Sequence, residues 1–587
     1  MCLQRELGAS WSRPTRRRSV SSPIPTPTVV TTDVLVLGAG GAGMCAALRA
    51  RETGAEVLMV DKCGIGYNGQ VPIGGGILAY VYPSYVDEWV DKITRGSHFF
   101  NNQEWTRQFG SRMHQATMDL ADLGLTFLKK DGEIDILTWG PHIHVTLFDA
   151  PKSLLALKKT AAARGIKMMD KIFAVDLLKR DDQVVGAVGL GLVDGKVYLF
   201  DAKATIIATG NCGYMHEKSY ASVLGEGPAM GYRAGARLTN AEFNSLYVWG
   251  IKLLGKELMG IHFYLYLENA LGEKIMGKYY PELMEGEHAV YTFDPRVIHA
   301  MYEEVKAGRG PIYLNLKGLS DSEIAHLGED IVADLSHLMA NDTMRLLREK
   351  AGIDPGRERL EMWPRYLYSG GGLRIDLQGR TTLPGLWAAG GACSNYWTNG
   401  AGSQAGLGVQ SAAITGFVAG EDAGVWAVSS PRLGIDPVYA ERAVARVLEP
   451  LGRPTEIDPY EVAYRVHEAI VPMKYNRVRE AKRMREALDI LASARELLDR
   501  VGVTDFHDLA RRHSAESMLM AAEFTYRAAL LREESRAQHF REDFPERDDA
   551  NWRKWICIEP GEDGPKLFTV PVPVETYPLQ PAEERER

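Results

Sequence analysis

The sequence predicts an α/β protein whose Rossmann-like dinucleotide-binding domain is interrupted by an inserted α+β domain and followed by a helical C-terminal domain. Three apolar runs predict it, each ending in small residues: Val34 to Leu37 before a glycine-rich turn, Ala204 to Ile207 before Ala208-Thr209-Gly210, and Leu386 to Ala388 before Ala389-Gly390. A further observation is length, since 587 residues exceed what one core supports.

The first run carries the sharpest signal. Gly38, Gly40 and Gly43, with Gly41 between them, fit a strand that turns tightly into the alanine-rich helix ending near Arg51. Such a turn lets backbone approach a pyrophosphate at the positive helix N-terminus. Val57 to Val60 reads as the next strand, and Asp61 at its end is placed to accept hydrogen bonds from a ribose. Gly64 to Gly76 is too rich in glycine for a regular element and suits a loop lying flat against a ring. Helical spacing covers Thr106 to Leu128 and Pro151 to Arg164. Met168 to Leu178, Val184 to Leu192 and Lys196 to Phe200 read as a meander leading into the Ala204 strand.

From about Asn240 to Trp363 the pattern turns to short mixed elements rich in Tyr, His and Met. Beyond Pro431 it is helical and charged, with heptad-like stretches at Arg477 to Leu498 and Ala515 to Arg532. The expected division is therefore an N-terminal extension (1–30), the first part of the nucleotide-binding domain (31–240), the insert (241–363), its second part (364–430), and the helical domain with a Pro- and Glu-rich tail (431–587). The extension, rich in Ser, Thr, Pro and Arg, reads as disordered.

Composition excludes several classes. At 45% hydrophobic and 25% charged the chain is ordinary and globular, and a net charge of −8 gives no pull toward nucleic acid or anionic lipid. Six cysteines are scattered without a C-x-x-C pair, so neither zinc nor a chain-borne iron–sulfur cluster has ligand spacing. No metal is expected. No apolar run reaches membrane-spanning length and no secretory signal is evident, so a reducing, cytoplasmic setting is expected.

The order of these segments resembles flavoproteins of the two-dinucleotide-binding-domain type, in which noncontiguous pieces hold FAD around an inserted capping domain. The Arg-, Glu- and Asp-rich run from Leu531 to Trp552 looks like the helical tail of the succinate dehydrogenase and fumarate reductase flavoprotein family. Composition alone would make it a solvated charged helix. The strand-like extension Trp555 to Pro571 is more similar to the adenylylsulfate reductase α chain, of the same superfamily. The resemblance covers nearly all of residues 30 to 571.

What it implies is an FAD site assembled from Gly38, Gly40, Gly41 and Gly43 on the pyrophosphate, Asp61 on the adenosine ribose and Lys62 beside it. The loop with Asn68, Gly69, Gly75 and Gly76 then runs along the isoalloxazine ring, and Ala208, Thr209, Gly210, Gly390, Gly391, Ser403, Gly408 and Val409 complete the site. In succinate dehydrogenases this loop carries a histidine joined to the flavin. Gly69 stands there, so FAD is expected to be noncovalent. Related flavoproteins follow the Gly390 position with an acid that holds the ribityl chain, and Gly391 has no side chain to do so.

The substrate side also departs from the family. Asn399 and Ser403 stand at a histidine and an arginine that grip a C4 dicarboxylate, and Leu367 stands nearest a second histidine. Each missing charge-assisted pair removes about 1.5–3 kcal/mol of anion binding, which argues against succinate and fumarate. Trp139, Asn399, Ser403 and His262 are the expected substrate contacts, in a pocket suited to a larger, less charged ligand together with Tyr247, Trp249, Tyr264, Tyr266 and Trp397. Arg296, His299, Tyr366 and Tyr368 are candidates for proton transfer, Arg296 because it lies near the family's proton-donating arginine.

These readings imply an FAD-dependent reductase or dehydrogenase that moves hydrogen across a C–C bond next to a carbonyl or carboxylate. Two alternatives stay open: a flavin subunit passing electrons to an iron–sulfur partner, and an oxygen-using oxidase resembling L-aspartate oxidase. An oligomer is compatible with either.

Overall fold

The computed structural model describes residues 26–140, 143–215, 222–243, 246–253, 256–257, 263–284, 295–328, 346–368, 371–393, 406–454 and 456–581. Its centre is a seven-stranded sheet. Five strands are parallel, in the spatial order Lys167–Asp170, Val57–Asp61, Thr28–Leu37, Val197–Ile207 and Leu386–Ala388. The antiparallel pair Ile172–Arg180 and Gln183–Gly191 continues from the other end of Val197–Ile207. Val34, Leu35, Val36 and Leu37 are all fully buried, as a strand covered on both faces requires.

The expected meander is present in altered form. Lys196 to Phe200 and Ala204 to Ile207 are one continuous strand, with no turn between them. Met168 to Leu178 splits in two at Lys171, whose φ of 57° turns the chain off the edge of the parallel sheet and into the antiparallel pair.

The helix Gly41–Glu52 packs against the 23-residue helix Leu407–Ser429 at close range. Ala42, Ala46 and Ala50 recur every four residues on one, and Gly416, Gly420 and Gly424 on the other. A Cβ at Gly420 would stand 2.2 Å from the Ala46 carbonyl oxygen, and at Gly416 2.5 Å from that of Ala42. The helices Gln103–Asp122 and Ala150–Ala163 fall close to the expected spans and are capped by the Asn102 and Asp149 side chains.

The insert forms an antiparallel sheet in the order Lys256–Glu257, Leu246–Ile251, Leu360–Tyr368, Ile312–Leu314, Leu267–Glu268. Leu360–Tyr368 carries this sheet past residue 363, where the aromatic-rich pattern stops. The helices Pro459–Ile470, Ala481–Asp499 and Phe506–Leu531 pack together beyond it, sharing a core of Val462, Val466, Leu491 and Met518. The chain then returns as a hairpin, Lys554–Gly561 with Gly564–Pro571, whose first strand pairs with Leu238–Thr239 just before the insert.

From Arg532 to Asp548 the charged run is not helical, and its arginines as far as Arg541 are buried, whereas Asp543 to Arg547 are exposed. Arg532 and His539 are wholly buried, and Arg541 and Arg536 nearly so. Arg532 reaches Glu242 at 3.0 Å and Glu534 at 2.7 Å, with its guanidinium 5.1 Å from the Phe100 ring centroid. Arg479 donates to the Glu242 backbone oxygen at 2.5 Å and to His539 Nδ1 at 2.6 Å. His539 Nε2 lies 3.3 Å from the Arg532 carbonyl oxygen, so the ring is the neutral tautomer protonated on Nε2. Burial first, then Arg479, Arg532 and Arg541, hold its pKa well below the usual imidazole range.

Candidate functional site

The three small-residue motifs meet because their strands are neighbours. Gly38 N–H donates to Val60 O at 2.9 Å, Ala208 N–H to Leu37 O at 2.8 Å, and Ala389 N–H to Ile207 O at 2.9 Å. At these carboxyl ends the sheet opens into a cavity of about 250 Å³. Its position outside the carboxyl ends of parallel strands is where open α/β sheets bind ligands.

Gly38, Gly40 and Gly41 line the cavity at the N-terminus of the helix Gly41–Glu52. Gly38 has φ +98° and a Cβ there would lie 2.6 Å from the Ala208 carbonyl oxygen, so both conformation and space demand glycine. A Cβ at Gly40 would meet nothing within 4 Å. Gly43, expected to contact the pyrophosphate, does not line the cavity. Its Cβ would be 1.9 Å from Gly38 O, so it is glycine to let the helix close on the turn.

Asp61 is fixed by three donors: Ala39 N–H to Oδ2 at 2.7 Å, Cys63 N–H to Oδ1 at 2.7 Å, and Asn68 Nδ2 to Oδ1 at 2.5 Å. Lys62 lines the same wall and is paired there with Glu226, 2.5 Å distant, which also accepts from Ser514 Oγ at 3.0 Å. Through Ser514 the long C-terminal helix touches the cavity wall. Asn68 and Gly69 line the loop side, joined by Gly74; Gly75 and Gly76, expected there, do not. Gly76 is turned toward the neighbouring sheet, accepting from Phe148 N–H at 2.9 Å.

Opposite stand Ala208, Thr209 and Gly210, then Gly390 and Gly391, then Gly408 and Val409 in the first turn of Leu407–Ser429. Thr415 Oγ1 accepts from Gly390 N–H at 2.8 Å and fixes that turn. Two helix N-termini thus face one cavity, an arrangement that favours an anionic ligand. Inside it, the buried Asn68 Oδ1 and Thr209 Oγ1 have no partner among the described residues. Open space at Gly40, orphaned polar atoms and paired helix N-termini fit a bound dinucleotide.

The proposed acid–base residues lie elsewhere or outside the described residues. Tyr366 is fully buried in the insert, its ring 5.6 Å from that of Tyr214. His299 packs 5.1 Å from the Phe540 ring, and burial lowers its pKa. Arg296 is half-buried in the first turn of the helix Pro295–Lys306. None of the three lines the cavity. Trp249 is fully buried, and Tyr264 is buried with its hydroxyl on Leu283 O at 3.0 Å. His262, Asn399 and Ser403 fall outside the described residues, as do the side chains of Trp139 and Tyr368.

Sequence reasoning passed over Gln70, Asn211, Phe173 and Glu226, which also line the cavity. Asn211 directly follows the Ala208-Thr209-Gly210 motif and Gln70 sits inside the glycine-rich loop, so adjacency marked both. Nothing local marked Glu226. Among the described residues, no cluster of three His, Cys, Asp or Glu side chains is arranged for a metal, and no helix is long and apolar enough to cross a membrane.

Comparison with known proteins matches this geometry. Residues 33–408 match the FAD binding domain family, and residues 468–586 the fumarate reductase flavoprotein C-terminal family. A fumarate reductase (CoM/CoB) subunit of Methanothermobacter marburgensis is 28% identical over 90% of this chain and 96% of its own. The fold is that of E. coli quinol fumarate reductase FrdA (TM-score 0.81, 23% identity, 94% of this chain and 98% of that one). It is also that of adenylylsulfate reductase from Archaeoglobus fulgidus (TM-score 0.77, 21% identity, 93% and 96%). A cavity built from glycine turns and helix N-termini at the ends of parallel strands, inside a chain matched over most of its length, has one reading: the protein belongs to the FAD-dependent oxidoreductases of the fumarate reductase and succinate dehydrogenase flavoprotein family.

Proposed function

We propose that the chain binds FAD noncovalently in this cavity and transfers hydrogen across a C–C bond adjacent to a carbonyl or carboxylate, in a substrate that is not a simple C4 dicarboxylate. Bound FAD supplies the hydride-transferring ring. Gly38, Gly40 and Gly41 would hold the pyrophosphate, Asp61 the adenosine ribose, and Gly69 with the first turn of Leu407–Ser429 the ring. Gly69 offers no atom for a covalent link.

The substrate reading is carried by one observation: Asn399 and Ser403 replace two cations where the resemblance places a dicarboxylate grip. Burying an anion without paired cations is costly, so a less charged ligand is favoured. That relatives are named fumarate reductases supports the reaction class and leaves the substrate open. Of the acid–base candidates, Arg296 is retained for its place near the family's proton-donating arginine; it and His299 are half-buried on the helix Pro295–Lys306, and Tyr366 is fully buried. The test is anaerobic reduction or reoxidation of the flavin by a panel holding fumarate, succinate, and cyclic and aromatic enones. Turnover with the enones alone supports the reading, and efficient turnover of fumarate or succinate overturns it.

A second reading is a flavin subunit that passes electrons to an iron–sulfur protein. It is favoured by the Methanothermobacter relative, which is named as one subunit of its enzyme, and by the lack of cluster-ligand spacing in this sequence. Co-purification of a cysteine-rich partner under gentle lysis supports it. Stoichiometric peroxide release from the isolated chain points to the oxidase alternative instead.

A further inference from the structure

Along the motif that follows Val197–Ile207 the floor of the cavity is Ala208, Thr209 and Gly210, and Asn211 then adds an amide side chain next to Gly391. Asn211 is 6% exposed, and its Oδ1 accepts a 3.3 Å hydrogen bond from Gln70 Nε2, which reaches in from the glycine-rich loop. Gly391 lies directly against it. A Cβ at Gly391 would stand 2.9 Å from the Asn211 backbone nitrogen, 3.3 Å from its Cγ and 3.4 Å from its Cβ. A side chain at 391 would meet the backbone of residue 211 first and the Asn211 side chain next, so the polar side chain that stands beside Gly391 in the cavity is that of Asn211.

We infer that Asn211, steadied by Gln70, is the positioning side chain for bound FAD that Gly391 cannot be. The inference rests on the assignment of the cavity to FAD. With Gln70 Nε2 donating to Asn211 Oδ1, the Asn211 amide N–H groups and the Gln70 carbonyl oxygen stay available to the cavity, one donor group and one acceptor. That pairing suits hydroxyl groups, which both donate and accept. The pair is also uncharged. A carboxylate in its place would oppose the negative charge that a reduced flavin acquires, and an amide does not.

The experiment uses full-length protein stripped of flavin and reloaded, and compares wild type with Asn211→Ala, Gln70→Ala, the double variant and Asn211→Asp. FAD affinity is read by quenching of flavin fluorescence, the midpoint potential by equilibrium dye reduction, and folding by the melting temperature of the flavin-free protein. Expected are about tenfold weaker FAD binding for Asn211→Ala and a smaller loss for Gln70→Ala. The double variant should lose less than the sum of the two single losses, because the two side chains are coupled through their hydrogen bond. Asn211→Asp should lower the midpoint by about 30 mV, a tenfold change in the affinity ratio of oxidised to reduced flavin. Unchanged affinity in Asn211→Ala together with an unchanged potential in Asn211→Asp overturns the inference. Gly40→Val separates the two readings: if it abolishes FAD binding while the Asn211 variants bind normally, the cavity holds FAD and only the role of Asn211 fails. If it binds FAD as wild type does, the cavity assignment fails and takes the inference with it. If flavin-free Asn211→Ala melts well below wild type, the Gln70→Ala affinity and the Asn211→Asp potential decide.

Discussion

At residue 40, which lines the cavity, a Cβ would meet nothing within 4 Å and the backbone φ of −72° suits any residue. Gly40→Val is therefore expected to leave the fold intact and to weaken FAD binding at least ~100-fold by occupying the space a pyrophosphate needs. Flavin content after purification, set against the melting temperature of the flavin-free protein, checks it; a yellow Gly40→Val protein sinks the assignment. Gly43 behaves differently. With its Cβ 1.9 Å from Gly38 O, any side chain forces the helix off the turn, so Gly43→Ala should lose stability and flavin together. Noncovalent attachment is read most directly at Gly69: acid precipitation should release all the FAD into the supernatant, and flavin in the pellet would refute it.

Among elements, the helix pair Gly41–Glu52 and Leu407–Ser429 carries the site, because both present their N-termini to the cavity. Their contact is backbone against backbone. Gly420→Ala should cost about 1–3 kcal/mol by overpacking, measurable by urea denaturation, and it should weaken FAD binding as well by displacing Gly408 and Val409. The entry to the insert is held in another way. Glu242, in the short helical turn Ala241–Phe243, is buried against Arg532 at 3.0 Å, and burial raises its pKa while Arg532 opposes the rise. Arg532→Ala leaves a buried carboxylate without its partner and should cost about 3–5 kcal/mol, whereas the paired change to Arg532→Met with Glu242→Leu should recover much of that loss.

Across the whole molecule, buried neutral histidines couple stability to pH. His539 stays unprotonated in the folded chain while an unfolded histidine takes up a proton near pH 6.5. The stability it contributes is therefore present above pH 6.5 and is lost as the pH falls below it, by up to about 1.4 kcal/mol per pH unit. His513, His467 and His299 are shifted in the same direction, each by burial first. The melting temperature should fall between about pH 7 and pH 5, and His539→Gln should make that fall shallower. A pH-independent melting temperature across this window would show that the buried cluster opens to solvent.

The first nucleotide unit was legible because its determinants are local: glycines at fixed spacing, flanking apolar runs and an acid at the end of the second strand are all neighbours in the chain. The helices at Gln103–Asp122 and Ala150–Ala163 were legible for the same reason, since apolar periodicity needs only one turn of context. The resemblance supplied FAD and the order of the remaining pieces. Lys171 was not legible, because a single residue with positive φ redirects a run whose composition is uniformly strand-like. The burial of Arg532, Arg536, His539 and Arg541 was hidden too: composition alone makes the segment a solvated face, and only Glu242, Glu534 and Phe100 packed around it make it a core. The sequence by itself determined that a dinucleotide turn exists, where it lies and that its loop has no histidine to bind flavin. The tertiary structure alone decided that Glu226 restrains Lys62, that Asn211 fills the volume beside Gly391, and that Tyr366 and His299 sit away from the cavity. Contact between residues far apart in the chain depends on how separate elements pack, and no local pattern encodes it.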